Sequence, residues 1–323
     1  MNKRELWYND ELVESTLLKP IKELQADKLI IISGYASHNM ASWHIKKINE
    51  SKLSPVAIEL TFGMPQVDGI SKDLHEGLLN LSKFREEELS SFTCKYIYQG
   101  APVHSKIYIW LKNDKPVIAF AGSANYSQNA FSKKRREYMV QCNHEEAYAY
   151  YLELENDSIV CNHGEIEEYV KIYSNNKIDI IQNNNEEVNV PHVTLSLLKK
   201  DGQVGHGSGI NWGHRKNGTK RELNQAYIPL PSKIAKSNFF PLNKQHFSVI
   251  TDDRKQLILR VQQQNDKAIT TPLNNSQLGE YFRNRMGLEN GSFVTLSDFE
   301  NYGRSDVTFY KIDEDQFYMD FSV

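Results

Sequence analysis

Two short polar motifs punctuate apolar, strand-like runs and restrict how this chain can fold. His104 and Lys106 stand two apart at the head of HSKIYIW, where Ile107, Ile109 and the flanking aromatics predict a strand. Alternate strand positions share a face, so both side chains are expected to project from one side. The run KPVIAFAGSANYS predicts a second strand ending in a Gly-Ser turn, which would bring Ser123 and Asn125 beside the first pair. Glu137 follows in RREYMVQC. The pattern therefore demands neighbouring strands whose ends meet at one site.

Those residue types can cleave a phosphodiester without a metal. An unprotonated imidazole is a nucleophile, so His104 could displace one phosphate substituent and form a phosphohistidine that water hydrolyses. Lys106 and Asn125, with the Ser123 hydroxyl, would stabilise charge developing on the nonbridging oxygens, the task a metal performs elsewhere. Glu137 would orient the imidazole through its second nitrogen. One such motif supplies a nucleophile but no second histidine to protonate the leaving oxygen, so a homodimer is expected. Either fragment alone is ordinary: His-x-Lys on a strand is usually surface decoration, and GSAN is a common strand-ending turn. Their order, spacing and trailing glutamate carry the reading.

This arrangement resembles the phospholipase D superfamily, whose signature is H-x-K followed by G-S-x-N. The aspartate usual five residues after the lysine is replaced by Leu111, and Asp114 falls too late to substitute. That departure points to the nuclease branch that includes the BfiI and NgoFVII restriction endonucleases, where a glutamate after the asparagine completes the site. Glu137 lies where that glutamate belongs.

At 323 residues the chain is long enough for two domains. Its 40% apolar and 24% charged content is that of a globular protein. Cys94, Cys142 and Cys161 match no ligand spacing and read as free thiols in a reducing compartment; no metal or other cofactor is called for. NKRELWYNDELVE after Met1 has no apolar core of leader length, and LIIISGYA is too short to span a bilayer, so a cytoplasmic location is expected.

The net charge is only −3, but it is unevenly divided. From residue 190 onward 17 Lys and Arg face 14 Asp and Glu, a balance of +3, against 21 and 27, or −6, for residues 1–189. The C-terminal part is thus the better candidate for a polyanionic partner, through a local patch. SNNKIDIIQNNNEEVNVP lacks a sustained apolar face and reads as a linker, with IDII as its one segment able to pin to a domain. The expected division is 1–175, a linker at 176–189, and 190–323.

Before the linker, Leu12, Leu17, Ile21 and Leu24 mark an amphipathic segment. Strand-like KLIIIS, PVAIELTF, KYIYQ, KIYIW, VIAFA and EYMVQC alternate with helical stretches at 41–49, 72–90 and 144–155. This predicts an α/β sandwich with a mixed sheet. After the linker, VTLSLL, AYIPLP, HFSVIT, QLILRVQ, SFVTL, VTFYKI and QFYMDFS are separated by turn signals, as in a mainly β barrel or pseudobarrel. One helix is expected in SQLGEYFRNRMGL, from Ser276 to near Gly287.

Two polar segments of this half are candidate DNA contacts. SGINWGHRKNGTKRELNQAY carries Trp212, Arg215, Lys216, Lys220, Arg221 and Asn224 in a stretch too long for a hairpin turn. TTPLNNSQLGEYFRNR adds Asn275, Arg283 and Arg285. Arginine can pair with guanine and asparagine with adenine, whereas lysine mostly neutralises phosphate. The stretch from 190 resembles the C-terminal domain of NgoFVII-type restriction enzymes in GINWGHR, NQAYIPLP, DDRKQL, NNSQLGEYFRNRMGL and ENYGRSDV.

The resemblance implies a B-three-like pseudobarrel gripping the major groove of double-stranded DNA with two arms. It also implies a type II-like, metal-independent restriction endonuclease. Such enzymes can work beside a separate ATP-dependent helicase and a cognate DNA methyltransferase; this chain has no G-x-x-x-x-G-K-[ST] motif of its own. The residues leave two alternatives open: a phospholipase D-type phosphodiesterase acting on a lipid or small substrate, and a nonenzymatic sequence-specific DNA-binding protein.

Overall fold

A computed structural model describes residues 6–8, 12–83, 90–132, 135–174, 176–183, 190–215 and 221–323. The chain divides into two compact units, Met1–Asn175 and Asn176–Val323.

The first unit is built on an eight-stranded mixed sheet. Its strands are β1 (Leu6–Tyr8), β2 (Lys28–Ser33), β3 (Ala57–Phe62), β5 (Ser91–Ile97), β6 (Lys106–Lys112), β7 (Lys115–Gly122), β8 (Tyr138–Cys142) and β9 (Ser158–Val160), in the order β1-β8-β7-β6-β2-β3-β5-β9. A separate parallel pair joins β4 (Ile70–Ser71) to β10 (Ile172–Tyr173). Strand β2 lies between parallel β3 and antiparallel β6, so both its edges are paired, and helices cover both its faces. That position suits the unbroken apolar run LIII, whose four residues are fully buried.

Helices form the outer layers. The helix His144–Glu155 lays Ala147, Tyr151 and Leu154 against Ile30, Ile32, Ile97 and Ile109. Asn143 caps it by accepting from the backbone N–H groups of Glu145 and Glu146. Lys106, Tyr108 and Trp110 alternate onto the opposite face. There the Trp110 indole donates to the carbonyl of Thr16, 2.8 Å away, at the start of the amphipathic stretch that runs through a π-helical turn (Val13–Leu18) into Lys19–Leu24. The helix His38–Glu50 covers the same face, its His44 Nδ1 lying 3.0 Å from the Tyr126 hydroxyl. Burial pushes His44 down to about 4, which keeps it neutral at physiological pH.

The second unit is a seven-stranded sheet in the order β11-β16-β17-β13-β14-β15-β12. These strands are β11 (His192–Ser196), β12 (Ile228–Pro229), β13 (His246–Thr251), β14 (Gln256–Gln262), β15 (Ala268–Thr270), β16 (Asp306–Lys311) and β17 (Gln316–Asp320). Edge strands β11 and β12 return beside one another, giving a nearly closed barrel. Phe240, Phe247, Phe309 and Phe317 fill it, with ring centroids 5.1 to 5.4 Å apart. The helix Gln277–Arg285 buries Leu278, Tyr281 and Phe282 in the same core.

The structure departs from the sequence expectations at three places here. SFVTL forms no strand: Asn211 brackets the Val294 backbone with bonds of 2.7 and 2.9 Å, and Thr295 with Asp298 forms a capping box that starts a second helix, Leu296–Tyr302. AYIPLP contributes only two strand residues, because Pro229 and Pro231 cannot donate to a ladder. The segment read as a linker begins with a helix, Asn176–Asn183, whose Ile178 is buried with Ile250, Ile312 and Tyr318.

Candidate active site and nucleic-acid surface

Strand β6 begins at Lys106, with His104 and Ser105 in the extended segment before it. The alternation still holds across that boundary: Lys106 Nζ lies 2.9 Å from His104 Nδ1 and 3.2 Å from Nε2, and also contacts the His104 carbonyl. His104 is exposed while Lys106 is buried, so the ammonium supports the imidazole from beneath. Burial holds the Lys106 pKa below the usual lysine range, and the Glu137 carboxylate partly opposes that shift.

Strand β7 delivers the second motif. A Cβ on Gly122 would come within 2.2 Å of the Tyr138 carbonyl, so only glycine allows β7 and β8 to meet at this point. The next residue, Ser123, donates its hydroxyl to Glu137 and accepts from the Tyr138 backbone N–H at 3.2 Å. Asn125 is held by its Oδ1, which accepts from the Tyr35 backbone N–H at 3.2 Å and lies 3.4 Å from Ser33 Oγ. With the oxygen engaged, its Nδ2 remains the donor that can serve a substrate.

Two contacts bear on the expected roles of Glu137 and Ser123. Glu137 receives the Ser123 hydroxyl, and the described contacts give it no bond to the His104 ring. A hydroxyl has one proton, and Ser123 directs it at Glu137, so it cannot also point at a phosphate while that carboxylate is ionised. At the position of the missing aspartate, Leu111 is core, 1% exposed.

Three further residues reach the site without belonging to either motif: Ser33, which ends β2, and Gly34 and Tyr35, which follow it. Ser33 pairs with Lys106 across the β2–β6 ladder, and its hydroxyl donates to the Tyr35 carbonyl at 2.6 Å. A Cβ on Gly34 would stand 3.0 Å from His104 Cδ2 and 3.4 Å from Lys106 Nζ. The available signal was a Ser-Gly pair ending a fully apolar central strand. Among the described residues, no group of three or more His, Cys, Asp or Glu side chains gathers as metal ligands.

In the second unit the expected contact residues separate into two groups. Arg215 is exposed, and Arg221 lies 4.3 Å over the Trp212 ring, which meets Tyr227 edge to face at 5.7 Å. Burial and then the nearby positive charge of Arg215 hold the Arg221 pKa down, so two guanidinium groups share this surface. Lys216 and Lys220 lie outside the described residues.

The second group is engaged internally. Arg283 is 0% exposed, with its N–H groups directed at the carbonyls of Ser292, Gly279, Ile210 and Leu223. Placing Arg283 on a DNA-contacting face is therefore corrected: the apolar helix face turned inward carries it into the core. Arg285 pairs with Asp252 at 2.7 Å and donates to the Tyr302 hydroxyl at 2.9 Å. Asn224 accepts from Gly291 N–H at 2.7 Å and is buried, which commits its amide oxygen to the loop. Asn275 is half-buried, and its backbone carbonyl accepts from the Ala226 N–H, a bond that leaves its side-chain amide uncommitted.

Residues 10–168 match the family described as the NgoFVII restriction endonuclease N-terminal PLD domain, and residues 185–313 match the NgoFVII C-terminal B3-like DNA-binding domain. The chain belongs to the NgoFVII restriction endonuclease family. The first unit is thus a phospholipase D-like domain and the second a B3-like domain, in the order expected for a site-specific nuclease acting on double-stranded DNA.

Solved structures similar to this NgoFVII-family chain include NucT from Helicobacter pylori, at 19% identity and a TM-score of 0.33, covering 49% of this chain and 98% of that one. Nuc from Salmonella typhimurium, a phospholipase D family member, is 12% identical with a TM-score of 0.34, covering 49% and 97%. A polyphosphate kinase from Porphyromonas gingivalis is 12% identical with a TM-score of 0.33, covering 51% of this chain and 26% of its own. No curated protein matches the chain.

Proposed function

We propose that this restriction endonuclease hydrolyses DNA phosphodiesters without a metal, through a phosphohistidine on His104 in a homodimer. The observation that carries the reading is the buried Lys106 ammonium set against the exposed His104 ring. The ammonium lies within hydrogen-bond reach of both ring nitrogens, so it holds the ring in place and stands where a nonbridging oxygen of the bound phosphate would come. Lys106 and Asn125 Nδ2 then face the nonbridging oxygens as fixed donors.

Attack forms a P–N bond and breaks the P–O bond to the leaving sugar. The leaving oxygen takes a proton from the His104 of a second copy, in its imidazolium form. Water next cleaves the P–N bond, giving its proton back to that second histidine. One histidine cannot fill both roles, so two copies must supply one composite site. Glu137, through Ser123, orders the loop after β7 and balances the Lys106 charge.

The B3-like unit would select the sequence through Arg215 and the Trp212–Arg221 stack, with Lys216 and Lys220 neutralising phosphate. A helicase or methyltransferase encoded elsewhere would be a partner of the system, and the cytoplasm its setting. Incubation with mixed-sequence DNA in EDTA, followed by sequencing of the cut ends, tests the proposal. Cutting at one recurrent site is expected; an absolute requirement for magnesium would overturn the assigned chemistry.

A further inference from the structure

Tyr35 is a large aromatic residue, 44% exposed, at the mouth of the candidate active site. Exposure of such a ring gains nothing for folding, yet the residue is fixed from three sides. Its backbone N–H donates to Asn125 Oδ1 at 3.2 Å, its carbonyl accepts from Ser33 Oγ at 2.6 Å, and its hydroxyl donates to Asp68 Oδ2 at 2.8 Å. The Asp68 carboxylate holds the phenol firmly protonated, raising its pKa. The ring stands edge-on to His104, with centroids 5.9 Å apart.

We infer that Tyr35 is a substrate-contact residue, packing against the deoxyribose next to the scissile phosphate and so setting the line of attack by His104. This rests on the nuclease reading above. In an intact duplex the base faces are stacked on one another, so the apolar surface that accompanies a backbone phosphate to the site is the sugar. A phenol ring beside the nucleophile offers the matching flat surface. Fixing the sugar fixes the leaving oxygen opposite the attacking nitrogen, and small errors in that alignment are costly in rate.

Asp68 gives the inference a second handle. It is exposed, and its charge repels an approaching polyanion while its oxygen anchors Tyr35. The two effects can be separated. Asp68→Asn keeps an acceptor and removes the repulsion, so KM for DNA should fall with kcat preserved. Asp68→Ala frees the phenol, so kcat should fall.

The test measures steady-state cleavage by the full chain of its mapped duplex and of bis(4-nitrophenyl) phosphate, which has no sugar. Tyr35→Ala should lose about tenfold to a hundredfold in kcat on DNA and clearly less on the small diester, which has no sugar to align. Tyr35→Phe keeps the ring face but loses the bond to Asp68, so its kcat on DNA should fall as far as that of Asp68→Ala and less far than that of Tyr35→Ala. DNA cleavage by Tyr35→Ala within about twofold of wild type would overturn the inference. So would an equal loss on both substrates, which would make Tyr35 only a support for Asn125. His104→Ala is the separate control: if it still cuts DNA, the nuclease assignment of this site fails, whatever Tyr35 does.

Discussion

Lys106→Met separates catalytic service from structural service. The lysine is buried, and its charge costs the fold something, as its lowered pKa records. Methionine fills much of the same space without charge, forfeiting the bonds to His104 while removing that desolvation cost. A hydrogen bond nets about 1 kcal/mol, so the opposing changes should leave stability within about 1 kcal/mol of wild type, a shift of roughly 2–4 °C in Tm. Catalysis has no such compensation. Loss of one fixed donor from a developing oxyanion typically costs about 2.7–4 kcal/mol, or roughly 10²–10³ in kcat.

The sign of the pH effect follows from the same geometry. The folded-state pKa lies below the unfolded lysine value. The contribution of Lys106 to stability is therefore fully present above the unfolded pKa and is lost as pH falls through the folded one. Relative to Lys106→Met, the wild type should gain stability between those two values as pH rises, while its activity declines because the ammonium is neutralised. Thermal melts and cleavage rates across that alkaline window are the assay. A variant that unfolds by more than about 3 kcal/mol, or keeps a tenth of wild-type cleavage, would refute the reasoning.

Three further outcomes follow from the two units. Arg283→Ala should destabilise the protein by about 3–5 kcal/mol, since it strands buried carbonyls and leaves a cavity; urea denaturation reads this directly. Arg215→Ala should leave the melt unchanged, and, where it meets a guanine, cost about 1–3 kcal/mol of discrimination in competition binding with matched and scrambled duplexes. Sedimentation of the intact chain should show a dimer at catalytic concentrations, and a strictly monomeric active enzyme would leave the leaving-group proton without a source.

The sheet-forming runs were legible because their patterns are local: LIII buries both faces of a central strand, and HSKIYIW alternates so that His104 and Lys106 meet. Legibility ended where a short polar signal competes with an apolar run. SFVTL has the composition of a strand, yet Thr295 and Asp298 lie at capping-box spacing and begin a helix instead. AIT in β15 is three residues long, too short for any periodicity to register.

The site shows the same division between local and long-range information. Spacing alone unites His104 with Lys106, whereas the contact between Ser33 and Asn125 spans distant parts of the chain and exists only because β2 lies beside β6. Charge was the least reliable guide. Arg215, Arg283 and Arg285 are alike in sequence, but Arg215 is exposed on a loop whereas Arg283 and Arg285 lie on or beside the inward face of one helix. The carbonyls around Arg283 and the carboxylate of Asp252 beside Arg285 are fixed by tertiary packing, so residue type identifies a possible DNA contact and burial decides whether that guanidinium can reach a groove.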